Sequence, residues 1–343
     1  MNKSGNFKNI LIMKPGAIGD LLQLTPIIRS LHEKYPDARV TMLVGSSATA
    51  ELFKYNLHVH ETLIFDKKGE HKSFSSLLQL WNEIRGRHYD LLINFQRSNL
   101  KLWFLASAAF PCRVLVYHKA RTRAIHAVAN YFEAIAPLDI HSSNLTLELY
   151  PGPDDRVFAA QIISSRENKK GPLIALNPGA SHPVNRWSTD RFAALADLLV
   201  QQLSADIIII GGAEDILLAK EIASKSNSHP LIMSGKAGLL QLAALLEQCD
   251  LLVSGDTGPL HLATAVGTRA IALFGAADHD RTGPIGTGHH VIRAKDVLCA
   301  PCRCRTCGNK IYLECMEKIS ARSVFDAASD MLRNGSAIKS VPL

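Results

Sequence analysis

The chain predicts an α/β protein built from two doubly wound, Rossmann-like domains. Three features carry this: strand and helix patterns alternate along the whole chain, the alternation breaks once near the middle, and glycine-rich turns follow several strands. A length of 343 residues, at roughly 150 per domain, also points to two domains. Hydrophobic residues make up 47%, and Ala, Leu and Ile outweigh the few aromatics, which suits helices packed on parallel strands.

The elements follow in order. Asn9–Met13 (NILIM) is uninterrupted apolar sequence, as in a strand covered on both faces. Ile18–Tyr35 carries apolar residues at helical spacing and is predicted as one helix. Arg39–Val44 is a strand, Phe74–Ile84 a helix, Asp90–Asn94 a strand and Arg113–Val116 a short strand followed by a basic helical stretch. Around residues 137–157, Pro137, Pro151, Gly152 and Pro153 interrupt the pattern and mark a boundary between domains 1–155 and 156–343. The rhythm then restarts with strand Leu173–Leu176 and helix Ser188–Leu203, capped by Ser188 or Thr189. Strand Ala205–Ile210 and helices Asp215–Ser224 and Leu239–Leu246 come next. Strand Leu251–Val253, helix Leu260–Val266, strand Ala270–Phe274 and a closing helix Ser323–Arg333 complete the second domain.

Formal net charge is +7, and it is unevenly placed. No acidic residue lies between Asp90 and Glu133, a stretch that holds Arg97, Lys101, Arg113, Lys119, Arg121 and Arg123. Such a segment fits an anionic substrate or lipid headgroups, and equally a solvated basic face. Nucleic acid is the least favoured partner, because no recognised motif or aromatic interleaving accompanies the charge. No apolar run reaches the roughly 18 residues of a membrane span. The N-terminus lacks the apolar region of a signal peptide, so a cytoplasmic protein is expected. Five of the seven cysteines cluster, and Cys299, Cys302, Cys307 and Cys315 could supply four thiolates to zinc. The second pair is spaced unlike a common zinc knuckle, which favours a reduced or partly oxidised surface loop.

The stretch Ser254-Gly255-Asp256-Thr257-Gly258-Pro259-Leu260-His261 follows an apolar run and opens a small-residue helix. A strand, a glycine-rich turn and a helix N-terminus make an anion site from free N–H groups and the helix dipole. Thr257 adds a hydroxyl and His261 lies one turn in; a nucleotide diphosphate fits, while Asp256 as a plain N-cap is the alternative. The first strand runs into Lys14-Pro15-Gly16-Ala17-Ile18-Gly19-Asp20, without the GxGxxG spacing of a dehydrogenase. Asp20, just beyond the strand's carboxyl end, can act as general base on a hydroxyl or cap the first helical turn. After Leu173–Leu176 come Asn177-Pro178-Gly179-Ala180-Ser181 and Arg186, a hydroxyl and a guanidinium suited to phosphate oxygens. Arg186 could also form a surface ion pair. Gly211-Gly212-Ala213-Glu214 offers a carboxylate to a ribose, and Phe274-Gly275 with Arg281-Thr282 forms a fourth loop. Four such loops in one domain favour a nucleotide-diphosphate site over coincidence.

In this order, KPGAIGDLLQLTPIIRSL, NPGASHPVNRWSTDRFAALA, GGAED, SGDTGPLHLATAVGTRAIALFG and a cysteine segment ending CMEKIS resemble the ADP-heptose:lipopolysaccharide heptosyltransferases, glycosyltransferase family 9. The resemblance spans nearly the whole chain. It implies a GT-B fold, with an N-terminal acceptor domain and a C-terminal nucleotide-sugar domain whose last helix packs back on the first. It implies inverting, metal-independent and cofactor-free transfer of heptose from ADP-heptose to an anionic, lipid-linked inner-core acceptor at the inner face of the bacterial inner membrane. Asp20 matches the family's catalytic base. Asp256, Thr257, Gly258 and His261 match its donor motif, with Ser181, Arg186 and Glu214 beside the donor. The six basic residues of the acid-free segment are the expected acceptor contacts. No Asp-x-Asp cluster of a metal-dependent sugar-nucleotide enzyme is expected. A transferase or epimerase acting on another nucleotide sugar, and a non-catalytic nucleotide-sugar binder, stay open as alternatives.

Overall fold

A computed structural model describes residues 6–67, 69–96, 99–120, 124–164, 166 and 171–334. The expected contacts Arg97, Arg121 and Arg123 lie outside the described residues. The chain divides into two compact units, Met1–Tyr150 and Pro151–Leu343.

In the first unit, strands β1 (Asn9–Met13), β2 (Arg39–Val44), β3 (Glu61–Ile64), β4 (Leu91–Asn94) and β5 (Arg113–Val116) form a parallel sheet in the order β3-β2-β1-β4-β5. The predicted helix Ile18–Tyr35 is instead two, Ile18–Leu22 and Thr25–Lys34. Pro26 has no N–H to give the Leu22 carbonyl, and the Thr25 hydroxyl donates to that carbonyl instead at 2.7 Å. After β5, the described residues 117–120 and 124–126 are not helical, against the predicted basic helical stretch. The helix there begins at Ala127, with the His126 ring as its cap. Buried Asn130 ties down the residues after β5, accepting from Tyr117 Oη at 3.0 Å and from the Ala120 N–H at 2.8 Å.

In the second unit, β6 (Leu173–Asn177), β7 (Asp206–Ile209), β8 (Leu231–Ile232), β9 (Leu251–Gly255), β10 (Ala270–Phe274) and β11 (His290–Arg293) form a parallel sheet in the order β11-β10-β9-β6-β7-β8. Both sheets are doubly wound, reversing direction between β1 and β4 and between β6 and β9. Ligands of such sheets bind outside the carboxyl ends at that reversal. Helix Pro153–Ser164 was hidden by the prolines read as a boundary. Pro153 sits at the helix start, where a missing N–H costs nothing, and Asp155 accepts from the Gly152 N–H at 2.8 Å. The closing helix, Ala321–Asn334, was expected on the first domain. It contributes Val324, Phe325 and Ala328 to the second unit's core.

Candidate active site

The first unit gathers charge and aromatic rings at the carboxyl edge of its sheet. Lys14, Phe95 and Tyr117 each follow a strand directly and extend its ladder through their N–H groups. Lys14 is 6% exposed. Its ammonium lies 3.1 Å from Asp20 Oδ2 and 5.6 Å from the centre of the Tyr131 ring. Asp20, on the short helix behind Gly16, is half-exposed while its partner is buried. Tyr131 packs edge-on to Phe95 at 5.2 Å and to Tyr117 at 5.0 Å. Burial, and then the Asp20 carboxylate, raise its phenol well above the ordinary value. Asn94, fully buried at the end of β4, receives the Gln96 N–H at 2.8 Å on Oδ1; its Nδ2 has no hydrogen-bond partner among the described residues.

The expected acceptor cations do not all reach this edge. Arg113 opens β5 at the opposite, amino end and donates to the Pro137 carbonyl at 2.7 Å. Lys101 contacts the carbonyls of His71 and Lys72, both at 3.4 Å. Lys119 is exposed in the loop that Asn130 holds beside Tyr131.

The second unit builds a different edge. Register pairs Asn177 of β6 with Ser254 of β9. The buried Asn177 amide donates to Ser254 Oγ at 2.9 Å and to Thr257 Oγ1 at 3.0 Å, and the two hydroxyls are 3.0 Å apart. Thr257 is the residue preceding helix Gly258–Ala265, but its hydroxyl makes no capping bond. It lies in this network instead of capping the helix, whose first N–H groups have no intrahelical acceptor. Gly255 is required here: a Cβ would stand 2.9 Å from the Asn185 carbonyl. Asp256 accepts from Thr282 Oγ1 at 2.9 Å and lies 3.8 Å from Nε2 of buried His261.

Arg186 donates to the Ala180 carbonyl at 3.2 Å, and its buried Nε has no partner among the described residues. Ser181 and Glu214 are exposed on neighbouring loops. Asp215, which motif reasoning passed over for Glu214, is the buried acid: it accepts from the Gly212 N–H at 3.0 Å and lies against Gly179. Burial raises its carboxyl above the usual range, with Glu214 adding to the shift and the Gly212 N–H and Arg186 opposing it.

The five clustered cysteines line one cavity of about 290 Å³, where Cys307 Sγ accepts the Leu313 N–H at 3.3 Å. They are not gathered around one point. Among the described residues, the group with three ligand atoms within 4.8 Å of one another is Asp278, His279 and Asp280. This is an Asp-x-Asp triplet, so the expectation that the chain lacks one is wrong.

Two Rossmann-like domains, one holding a charged pair and the other an open helix N-terminus above a small-residue turn, define a nucleotide-sugar transferase of the GT-B class. The model of glycosyltransferase family 9 (heptosyltransferase) matches residues 77–313, and the chain belongs to this family. The lipopolysaccharide core heptosyltransferase OpsX of Haemophilus influenzae is 26% identical, over 83% of this chain and 84% of its own. Two solved structures share the fold. A family 9 glycosyl transferase from Veillonella parvula superposes with a TM-score of 0.83 at 24% identity, over 96% of this chain and all of its own. E. coli ADP-heptose lipopolysaccharide heptosyltransferase II does so at 0.78 and 20%, with the same coverage.

Proposed function

We propose that the protein transfers heptose from ADP-heptose to a hydroxyl of an anionic, lipid-linked inner-core saccharide, with inversion and without a metal. Its place of work is the cytoplasmic face of the inner membrane. The carrying observation is the Asn177–Ser254–Thr257 network, which fixes the turn before a helix N-terminus without a side-chain cap at the strand reversal of the second sheet. That end receives the diphosphate, and Arg186 adds a guanidinium beside it.

The chemistry assigns the two units separate tasks. Asp20 takes the proton of the acceptor hydroxyl as its oxygen attacks the anomeric carbon. The bond from that carbon to the diphosphate breaks on the opposite face, and ADP leaves with the electron pair. Negative charge growing on ADP is met by the N–H groups behind Thr257 and by Arg186. Lys14 holds the Asp20 carboxylate, and Lys119 attracts the anionic acceptor. His261 and Thr282 hold Asp256 beneath the donor.

The test is ADP release from ADP-heptose, with and without a deacylated inner-core acceptor and with and without EDTA. Acceptor-dependent release that survives EDTA supports the reading. Loss of activity in EDTA that magnesium restores would transfer charge neutralisation to Asp278 and Asp280. Consumption of sugar nucleotide without acceptor would replace transfer by epimerisation or hydrolysis.

A further inference from the structure

Helix Phe74–Arg85 and helix Leu100–Ser107 present an apolar face to solvent that the transfer chemistry does not use. Phe74 is 69% exposed and Leu100 86%, with Leu78 and Phe110 also open. These four side chains form one surface. Phe74 and Leu78 lie one turn apart, as do Leu100 and Phe104. The Phe104 ring bridges the helices, 5.9 Å from Phe74 and 6.4 Å from Trp81. Arg85 continues the band, lying 6.0 Å from the Trp81 ring and donating to the Phe110 carbonyl.

An ordinary surface helix is apolar inward and polar outward. Helix Leu100–Ser107 (LKLWFLAS) buries Leu102, Leu105 and Ala106 yet is also apolar outward, with Lys101 its single charge. The cations stand at the ends of the band. Exposed Lys72 and Lys101 flank Phe74 and Leu100, where Lys101 reaches the Lys72 carbonyl, and Arg85 lies at the other end. The acids of the same region are Glu70, beside Lys72, and Glu83, which Arg87 holds at 3.1 Å.

We propose that this face docks the protein on a bilayer containing anionic phospholipid. Aromatic and leucine side chains enter the boundary between headgroups and acyl chains, while Lys72, Lys101 and Arg85 meet the phosphates. Charge selects this occupant: a rim of cations around an apolar centre matches a surface that is anionic outside and apolar beneath. The link to a lipid-linked acceptor rests on the proposed transfer reaction; the docking does not.

The test uses the full chain with vesicles of phosphatidylcholine alone or mixed with phosphatidylglycerol. Two of the three tryptophans, Trp81 and Trp103, belong to these helices, and Trp187 is buried in the other unit. Co-sedimentation with mixed vesicles, accompanied by a blue shift of tryptophan emission, is expected. F74S/L100S should weaken binding at least tenfold. K72Q/K101Q should weaken it about thirtyfold at low salt, from about 1 kcal/mol per cation. Turnover of a deacylated acceptor should be unchanged in F74S/L100S, which separates loss of docking from loss of fold or catalysis. Absence of vesicle binding, or equal binding by wild type and F74S/L100S, overturns the proposal. So does a concentration-dependent dimer that F74S/L100S abolishes, since the face would then belong to a second copy of the chain.

Discussion

The two sheet edges solve different problems with different chemistry. In the first unit a buried lysine holds a half-exposed carboxylate under a cluster of aromatic rings. In the second, a buried amide joins two hydroxyls beneath a turn of small residues. In the proposed function the first edge supplies the reacting carboxylate, and the second supplies backbone N–H groups from a turn held by side chains that face inward. Substitutions at the first edge should therefore change the rate of transfer and leave nucleotide affinity alone. Those at the second should change affinity and stability together.

The sharpest way to break this division is Asp20→Asn, which keeps the shape and removes the base. Turnover should fall about 100- to 10,000-fold, the range for a general base, with ADP affinity unaltered in calorimetry. Lys14→Met leaves the carboxylate without the partner now 3.1 Å away. A mispositioned base should cost about ten- to a hundredfold in turnover, again at constant ADP affinity.

At the second edge, Arg186→Ala removes a charged donor and should raise the ADP dissociation constant about tenfold, a loss of about 1.5 kcal/mol. Asn177→Ala leaves Ser254, fully buried, without the amide that joins it to Thr257. It should lower stability by about 1–3 kcal/mol in denaturant titration and weaken ADP binding in the same protein.

The smallest effect sharpens the electrostatics around Asp215. Its folded-state pKa is raised above the ordinary 3.8, so between those two values the folded protein binds more protons than the unfolded one. Stability from this group therefore declines as pH rises through that window, and the cost persists above it. Asp215→Asn keeps an oxygen for the Gly212 N–H and removes the titration. Its melting temperature should gain on wild type as pH rises from 3.8, and a constant difference between the two proteins would contradict the assignment.

Much of this architecture was legible because it is local in the sequence. β1, β2, β5 and β10 were read with their observed ends, since each is a short strand pattern bounded by polar or turn residues. The strands missed, β3, β8 and β11, have at most four residues, and partly exposed side chains blur their pattern. Pro26 and Pro153 were misread in opposite senses, one breaking a predicted helix and the other starting an unpredicted one. Asp20, Asp256, Thr257 and His261 could be picked out because each lies in a contiguous motif. The Asn177–Ser254 bond spans 77 residues and arises only when β6 and β9 align. Tyr131 reaches Lys14 only through the fold of its helix onto the sheet edge. Asp278-His279-Asp280 is contiguous in the sequence, and the short turn that carries it brings the three ligand atoms within 4.8 Å of one another.

The most direct test of the division between the two edges is one experiment on Asp20→Asn and Arg186→Ala side by side: calorimetric ADP binding, then single-turnover transfer from ADP-heptose with EDTA present. The account predicts that Asp20→Asn binds ADP like wild type and fails to transfer, while Arg186→Ala binds ADP weakly and also transfers more slowly at saturating donor. Full transfer by Asp20→Asn, or an ADP affinity that falls with Asp20 and not with Arg186, would contradict it.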